Sequence, residues 1–125
     1  MSLKRLFSIV ESPLHPRLTA IYEANSVEEV QFTSMRKALA ALKKQKPDYI
    51  AAEFFYGYGN NYAGVNISNL DVMLYSLQKY SPDTKVIVFV DKKERCYVDK
   101  LNDILPLYAV LQFPVSPDKV ANLLR

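Results

Sequence analysis

Five short apolar segments alternate along this chain with five segments of helical periodicity, and this alternation limits the choice of fold more than any other feature. The apolar segments are rich in β-branched and aromatic residues, as strands are. They span residues 4–10, 27–33, 47–55, 84–90 and 108–113. Strands that alternate with helices form a parallel sheet with helices on both faces. The sequence therefore predicts one α/β domain over residues 1–125, built as a three-layer sandwich.

The intervening segments carry apolar residues at helical spacing and have recognisable helix starts. The inner face of the first helix is predicted to consist of Leu14, Leu18, Ile21 and Tyr22. Thr33 or Ser34 is expected to cap the second helix, and Ser68 with Asp71 forms a Ser-x-x-Asp start for the third. Residues 92–105 are predicted to form one continuous helix.

Composition and charge narrow the class of protein. The net charge is +3 over 125 residues, and the basic residues are scattered rather than gathered in the stripe that is typical of nucleic-acid-binding proteins. No apolar run approaches the ~20 residues that a membrane-spanning helix needs. The single cysteine, Cys96, excludes an internal disulfide and favours a reducing compartment. We therefore expect a cytoplasmic protein that binds neither nucleic acid nor membranes directly.

The predicted carboxyl ends of the strands are where a ligand or catalytic site is expected, because parallel sheets bind ligands at that edge. The residues at these ends are Glu11–Ser12, Thr33–Ser34, Glu53–Phe54, Val90–Asp91 and Phe113–Pro114. Asp91 is followed three residues later by Glu94, an Asp-x-x-Glu pattern that indicates a helix cap rather than a reactive carboxylate.

Three stretches carry a resemblance to a known family. They are "PDYIAAE" at 47–53, "SPDTKVIVFV" at 81–90 and "VLQFPVSPDKVANLL" at 110–124. In this order and spacing they resemble the receiver domains of two-component response regulators, the CheY-like superfamily, over nearly the full chain. The resemblance implies a flavodoxin-like (βα)5 fold whose parallel five-stranded sheet has the order 2-1-3-4-5.

The family's acidic positions are only partly kept in this chain. The two acids that hold Mg²⁺ in receivers correspond to Glu11 and Ser12, and the phosphate-accepting aspartate corresponds to Glu53. Mg²⁺ requires oxygen ligands in strict octahedral geometry, so losing one acid and lengthening the others spoils the cage. We expect no metal and no cofactor, with a site made by Glu11 and Glu53 as the weaker alternative. Glu53 is either a permanent stand-in for a phosphorylated aspartate or a solvated carboxylate at a strand end, and the second interpretation is favoured.

The remaining phosphate-binding positions are apolar. The family's threonine or serine at the end of strand four corresponds to Val90, and its lysine on strand five corresponds to Phe113, with Pro114 retained. The aromatic switch position falls on Val110. Without that lysine, nothing neutralises a transferred phosphoryl group. The resemblance therefore implies a degenerate receiver, or pseudo-receiver, which is not an enzyme and serves signal transduction as a regulatory module.

The segment from Phe54 to Ile67 is longer than βα loops commonly are. Its tyrosines and asparagines are typical of adaptable recognition surfaces. The candidate recognition residues are Tyr56, Tyr58, Asn60, Asn61 and Tyr62. One interpretation is a surface loop whose tyrosines pack over a defunct pocket. Another interpretation is that the loop recognises a partner or ligand. The alternative function is then a flavodoxin-like domain that uses this loop to bind or convert a small molecule.

The family also implies where a partner would bind. In receivers this surface consists of the fourth helix, the fifth strand and the fifth helix, and a protein partner or a second copy is expected there. The corresponding residues here are Tyr97, Lys100, Asp103, Tyr108 and Lys119. We also expect that an effector region could follow Arg125. His15 and Cys96 are expected to have no metal-binding or catalytic role, since no partner residues lie near them in sequence.

Overall fold

The computed structural model describes residues 4–56 and 68–125. Five parallel strands form one sheet in the order β2-β1-β3-β4-β5. They are β1 (Lys4–Ile9), β2 (Val27–Phe32), β3 (Tyr49–Glu53), β4 (Lys85–Val90) and β5 (Ala109–Gln112). Every residue of β3 is buried, as its nearly continuous apolar sequence predicts for a central strand. The predicted α/β class and the predicted strand order are confirmed.

Helices cover both faces of the sheet and complete the three layers. They are α1 (Thr19–Ala24), α2 (Met35–Leu42), α3 (Asp71–Tyr80), α4 (Arg95–Val98) and α5 (Pro117–Leu124). Helices α2, α3 and α4 pack on one face, where the core includes Phe7, Ile50 and Val88. Helices α1 and α5 pack on the other, where Leu6 and Ile87 are buried. This division follows from the alternation of side chains along each strand. Within the part of the chain that the structure describes, no helix is long and apolar enough to span a bilayer.

The predicted starts of α2 and α3 form, but the predicted inner face of α1 has one exception. The Ser34 hydroxyl accepts a hydrogen bond from the Lys37 N–H at 3.3 Å and caps α2. Ser68 donates both its N–H and its hydroxyl to Asp71 Oδ1, each at 2.8 Å, directly before α3. The exception is Leu14, which is 62% exposed and lies outside α1. The predicted inward position of Leu14 is wrong because the helix begins only after the two prolines of this segment, which are poorly tolerated inside a helix.

The single helix predicted over 92–105 is also wrong. The segment consists of a 3-10 turn (Lys92–Glu94), the four residues of α4, and a second 3-10 turn (Asp99–Asp103). The Asn102 side chain competes here for a backbone group, since its Nδ2 donates to the Asp99 carbonyl. The inward face is nevertheless kept: Val98, Leu101 and Leu105 are buried.

Candidate functional site

Glu53 is the last residue of β3, and its side chain is completely buried. Its Oε2 accepts hydrogen bonds from the N–H groups of Glu11 at 2.8 Å and Ser12 at 3.2 Å. Its Oε1 accepts a hydrogen bond from the Ser12 hydroxyl. The donors come from the segment that follows β1, because β1 is paired with β3 and ends at the same edge of the sheet. The favoured interpretation of Glu53 as a solvated carboxylate is therefore wrong.

His15 supplies a further contact to the same carboxylate. Its Nδ1 lies 3.2 Å from Glu53 Oε2, its Nε2 lies 3.3 Å from the Ser8 hydroxyl, and only 2% of its side chain is exposed. The ring also meets the Phe89 ring edge-on, with 5.2 Å between centroids. The imidazole therefore lies between the Glu53 carboxylate and the Ser8 hydroxyl. Sequence reasoning missed this contact because 38 residues separate the two side chains.

The hydrogen bonds decide the charge state of Glu53. Burial by itself would raise its pKa, but the hydrogen bonds from His15, Ser12 and the Glu11 N–H, together with the charge of His15, lower the pKa of Glu53 below its ordinary value. Glu53 is therefore a carboxylate at neutral pH. It is a fixed negative charge whose oxygens already face donors from its own chain.

Asn69 connects this carboxylate to the second acid of the site, and sequence reasoning did not single it out. Its Nδ2 donates to Glu11 Oε1 at 3.1 Å and to the Glu53 carbonyl at 2.8 Å. Its Oδ1 accepts the Phe55 N–H at 2.7 Å. Burial raises the pKa of Glu11 and the nearby charge of Glu53 adds to this, while the hydrogen bond from Asn69 opposes it. The two carboxylates are thus held in different environments, and Asn69 bridges the two strand ends.

The other positions that the sequence analysis assigned to the site contribute apolar surface. Val90 is completely buried in the core beneath α2 and α3. Phe113 is half-buried on the opposite face, and its ring lies 6.4 Å from the Phe89 ring, centroid to centroid. Pro114 is exposed and follows a cis peptide bond. The side chains of these three residues carry no group that can donate a hydrogen bond.

Tyr56 is the one candidate recognition residue that lies within the described part of the chain. It is 49% exposed, and its ring stacks on Tyr97 with 3.8 Å between centroids and 16° between planes. Its N–H donates to Glu94 Oε1 at 3.1 Å, and Tyr56 also pairs with Ser68 in an isolated antiparallel bridge. The remaining candidates of this segment, Tyr58, Asn60, Asn61 and Tyr62, lie outside the described residues. The ends of the segment are therefore joined to each other and to the start of α4.

The residues expected to form an interaction face lie on or beside α4, β5 and α5. Lys100, Asp103 and Lys119 are exposed, and Tyr97 is half-buried by its stacking. Tyr108 is 39% exposed, and its hydroxyl donates to the Leu123 carbonyl at 2.8 Å, which ties the start of β5 to α5.

Two further residues of the sequence analysis have defined positions. Cys96 is exposed and has a free thiol. Asp91 is the predicted cap, since its Oδ1 accepts the Lys93 N–H at 3.0 Å at the start of the first 3-10 turn.

Two open clefts flank the turn after β1. One, of about 490 Å³, is lined by Glu11, Ser12, Thr33, Ser34, Met35 and Phe55. The other, of about 520 Å³, lies on the side of His15 and Arg17. Among the described residues, no three histidine, cysteine, aspartate or glutamate side chains are grouped so that they could hold a metal ion.

Comparison with known proteins identifies the fold. The sequence matches no family profile and no curated protein sequence. The signal receiver domain of an HD domain-containing protein from Pseudomonas fluorescens Pf-5 has a TM-score of 0.77 at 13% identity, covering 100% of this chain and 86% of that one. A response regulator receiver domain protein from Clostridium thermocellum has a TM-score of 0.73 at 15% identity, and the match covers 98% of this chain and 91% of that one.

The same likeness extends to a longer protein. NtrX from Brucella abortus has a TM-score of 0.72 at 15% identity over 98% of this chain, which spans only 26% of the NtrX chain. At such low identities these structures establish the fold and nothing finer. The chain therefore has the fold of response regulator receiver domains.

Proposed function

We propose that this chain is a receiver-like regulatory module that does not accept a phosphoryl group and that acts through contacts with other proteins. The observation that carries this proposal is the arrangement around Glu53. The residue at the phosphate-acceptor position is fully buried, and its two oxygens accept hydrogen bonds from Ser12, His15 and the Glu11 N–H. The segment after β1 thus supplies donors to both oxygens of the residue that would have to accept a phosphoryl group.

Chemical transfer to Glu53 would require the carboxylate to leave these partners. A nucleophilic oxygen must reach the phosphorus atom in line with the leaving group. Oε2 instead faces two N–H groups at 2.8 and 3.2 Å and the ring of His15 at 3.2 Å. Breaking charge-assisted hydrogen bonds in a buried site costs about 1.5–3 kcal/mol each. The cost of breaking these bonds supports the proposal that Glu53 is not phosphorylated.

The residues present do not fit the Mg²⁺ ion that the receiver fold implies. A hard cation needs free oxygen ligands, but both Glu53 oxygens face N–H or O–H donors, whose positive ends repel a cation. Ser12 stands where a second acid is required, and its hydroxyl is directed at Glu53. Glu11 is engaged by Asn69. No step of the proposed function runs through a metal.

His15 gives the Glu53 carboxylate a buried contact within its own chain. The imidazole is packed between Ser8, Glu53 and Phe89, and its Nδ1 lies 3.2 Å from Glu53 Oε2. We infer that the module is held in one conformation by an internal carboxylate–imidazole pair. This pair occupies the site that phosphorylation would otherwise use to switch the module.

The interaction part of the proposal rests on the surface next to α4, β5 and α5. Tyr56 and Tyr97 form an aromatic stack there, and Lys100, Asp103 and Lys119 are exposed. Tyrosine is enriched in protein interfaces, and the rim of an interface is polar and solvent-accessible. We propose that a protein partner or a second copy binds this surface, within a cytoplasmic signalling pathway.

Incubation with acetyl phosphate and Mg²⁺ followed by intact-mass spectrometry tests the phosphorylation part. We expect no mass increase for the wild type and none for Glu53→Asp, because that substitution restores the acceptor but leaves Ser12, Val90 and Phe113 in place. A receiver domain that is phosphorylated under the same conditions serves as the positive control. A phosphoryl adduct on the wild-type chain that disappears in Glu53→Gln would refute the proposal.

A further inference from the structure

A cluster of lysines lies at the amino-terminal edge of the sheet, at the opposite end from Glu53. Lys4 begins β1, Lys85 begins β4, and Lys46 lies shortly before β3. The register pairs Tyr49 with Lys85 and with Leu6, so the alternation of side chains places Lys4, Tyr49 and Lys85 on the same face. This is the face covered by α1 and α5.

Aromatic rings hold two of these ammonium groups. The Nζ atoms of Lys4 and Lys85 each lie 5.8 Å from the centroid of the Tyr49 ring, which is 2% exposed. Lys85 Nζ also lies 4.9 Å from the Tyr108 centroid, and Tyr108 is itself fixed by its hydrogen bond to the Leu123 carbonyl. Cation–π contacts of this kind restrict a long side chain that would otherwise be mobile. Lys85 is therefore positioned before any ligand arrives.

The charges in this cluster are not balanced by ion pairs. Within residues 4–56 and 68–125, Lys4, Lys46 and Lys85 form no salt bridge. The ammonium groups of Lys4 and Lys85 share one ring, so they lie no further apart than twice 5.8 Å. An anion bound beside these lysines would be attracted by each of their charges. Of the two nearby carboxylates, Asp48 directs Oδ2 to the Arg5 N–H at 2.8 Å, and Asp83 is exposed.

The lysines surround a cleft rather than a flat surface. The cleft has a volume of about 280 Å³ and is lined by Lys4, Lys46, Pro47, Asp48, Tyr49, Ser81, Pro82, Asp83, Thr84 and Lys85. The hydroxyls of Ser81 and Thr84 bond to each other, and Thr84 donates to the Pro47 carbonyl, so the floor is internally satisfied. A cleft of this size is at the small end of ligand sites and suits a compact ligand.

We propose that this cleft binds a small, multiply charged anion that carries a diphosphate group. Lysine ammonium groups bind phosphate as point charges, and the multiple negative charge of a diphosphate suits a cleft lined by three lysines. The diphosphate can be free or can belong to a nucleotide. The cleft is at the far end of the sheet from Glu53, so this proposal does not depend on whether Glu53 is phosphorylated.

Titration with inorganic pyrophosphate, followed by ¹⁵N–¹H NMR spectra and calorimetry, tests the proposal. We expect saturable shifts confined to residues around Tyr49 and Lys85, and about a tenfold or larger loss of affinity in Lys85→Gln. Lys93→Gln is the matched control, because Lys93 is an exposed lysine that follows the other end of β4. It should change affinity by less than about twofold.

A parallel titration with ADP distinguishes the two sources of the diphosphate. Tighter binding of ADP than of pyrophosphate indicates a nucleotide, and equal or weaker binding indicates the free anion. Circular dichroism establishes that both variants are folded. The proposal is overturned by an absence of saturation with both probes at millimolar concentration, or by an equal loss of affinity in Lys85→Gln and Lys93→Gln.

Discussion

Replacing Glu53 by glutamine removes the buried charge with almost no change in shape. Oε2 of the carboxylate accepts hydrogen bonds from the N–H groups of Glu11 and Ser12 and contacts His15. Oε1 accepts a hydrogen bond from the Ser12 hydroxyl. The amide oxygen of Glu53→Gln can take the place of Oε2. The amide NH₂ then faces Ser12, whose hydroxyl can rotate to accept from it. The substitution therefore mainly converts charge-assisted hydrogen bonds into neutral ones.

The size of the effect follows from the number of these bonds. A hydrogen bond to a charged acceptor contributes about 1 kcal/mol more than one to a neutral acceptor. Three bonds at Oε2 would give about 3 kcal/mol, and the lower cost of burying a neutral amide offsets part of this. The sign of the stability change follows from the pKa of Glu53. This pKa is lowered because the hydrogen-bond partners of Glu53 favour its charged form by more than burial disfavours it. We therefore expect Glu53→Gln to lower the free energy of unfolding by about 2 kcal/mol.

Urea denaturation at pH 7, followed by circular dichroism, measures this change. Glu28→Gln is the matched control: Glu28 makes a surface ion pair with Arg5 at 3.1 Å, and half of its side chain is exposed. Loss of such a surface pair should cost less than about 1 kcal/mol. A Glu53→Gln variant that is as stable as the wild type, or that loses no more than Glu28→Gln, would contradict the reasoning about the buried carboxylate.

Two further predictions concern pH and the interaction surface. Because the folded-state pKa of Glu53 is lowered, its stabilisation is complete above the unfolded pKa of about 4.3 and is lost as the pH falls through the folded value. Urea midpoints between pH 6 and 3 should fall further for the wild type than for Glu53→Gln, and parallel curves would contradict this. If a second copy binds the surface beside α4, β5 and α5, Lys100→Glu should lower the average mass in sedimentation equilibrium, whereas Lys93→Glu should not. A monomer mass at every wild-type concentration would exclude self-association.

The architecture follows closely from the sequence because its signals are local. Hydrophobic runs and helix-start patterns depend on residues within a few positions of each other, and all five strands lie where these patterns predict them. The segment after β4 is different. The apolar spacing there predicts the buried positions, but it does not indicate that the Asn102 side chain bonds the Asp99 carbonyl, a group that a regular helix would use.

The site was predictable in position but not in its contacts. The ends of β1 and β3 meet because their strands are neighbours, so Glu11, Ser12 and Glu53 could be placed together from the topology. His15 and Asn69 reach Glu53 across 38 and 16 residues, and such contacts leave no spacing pattern in a single sequence. The one signal for His15 was its place just after β1, between Pro13 and Pro16, at the edge where a site was expected.

We propose that hydrogen bonds from the segment after β1 keep Glu53 from accepting a phosphoryl group. A ¹⁵N–¹H NMR titration with Mg²⁺ and beryllofluoride, a mimic of the phosphoryl group, tests this proposal most directly. We predict no saturable shifts of the Glu11, Ser12 and Glu53 amides, while a phosphorylatable receiver domain responds under the same conditions. Saturable, Mg²⁺-dependent shifts of these three amides would contradict the account.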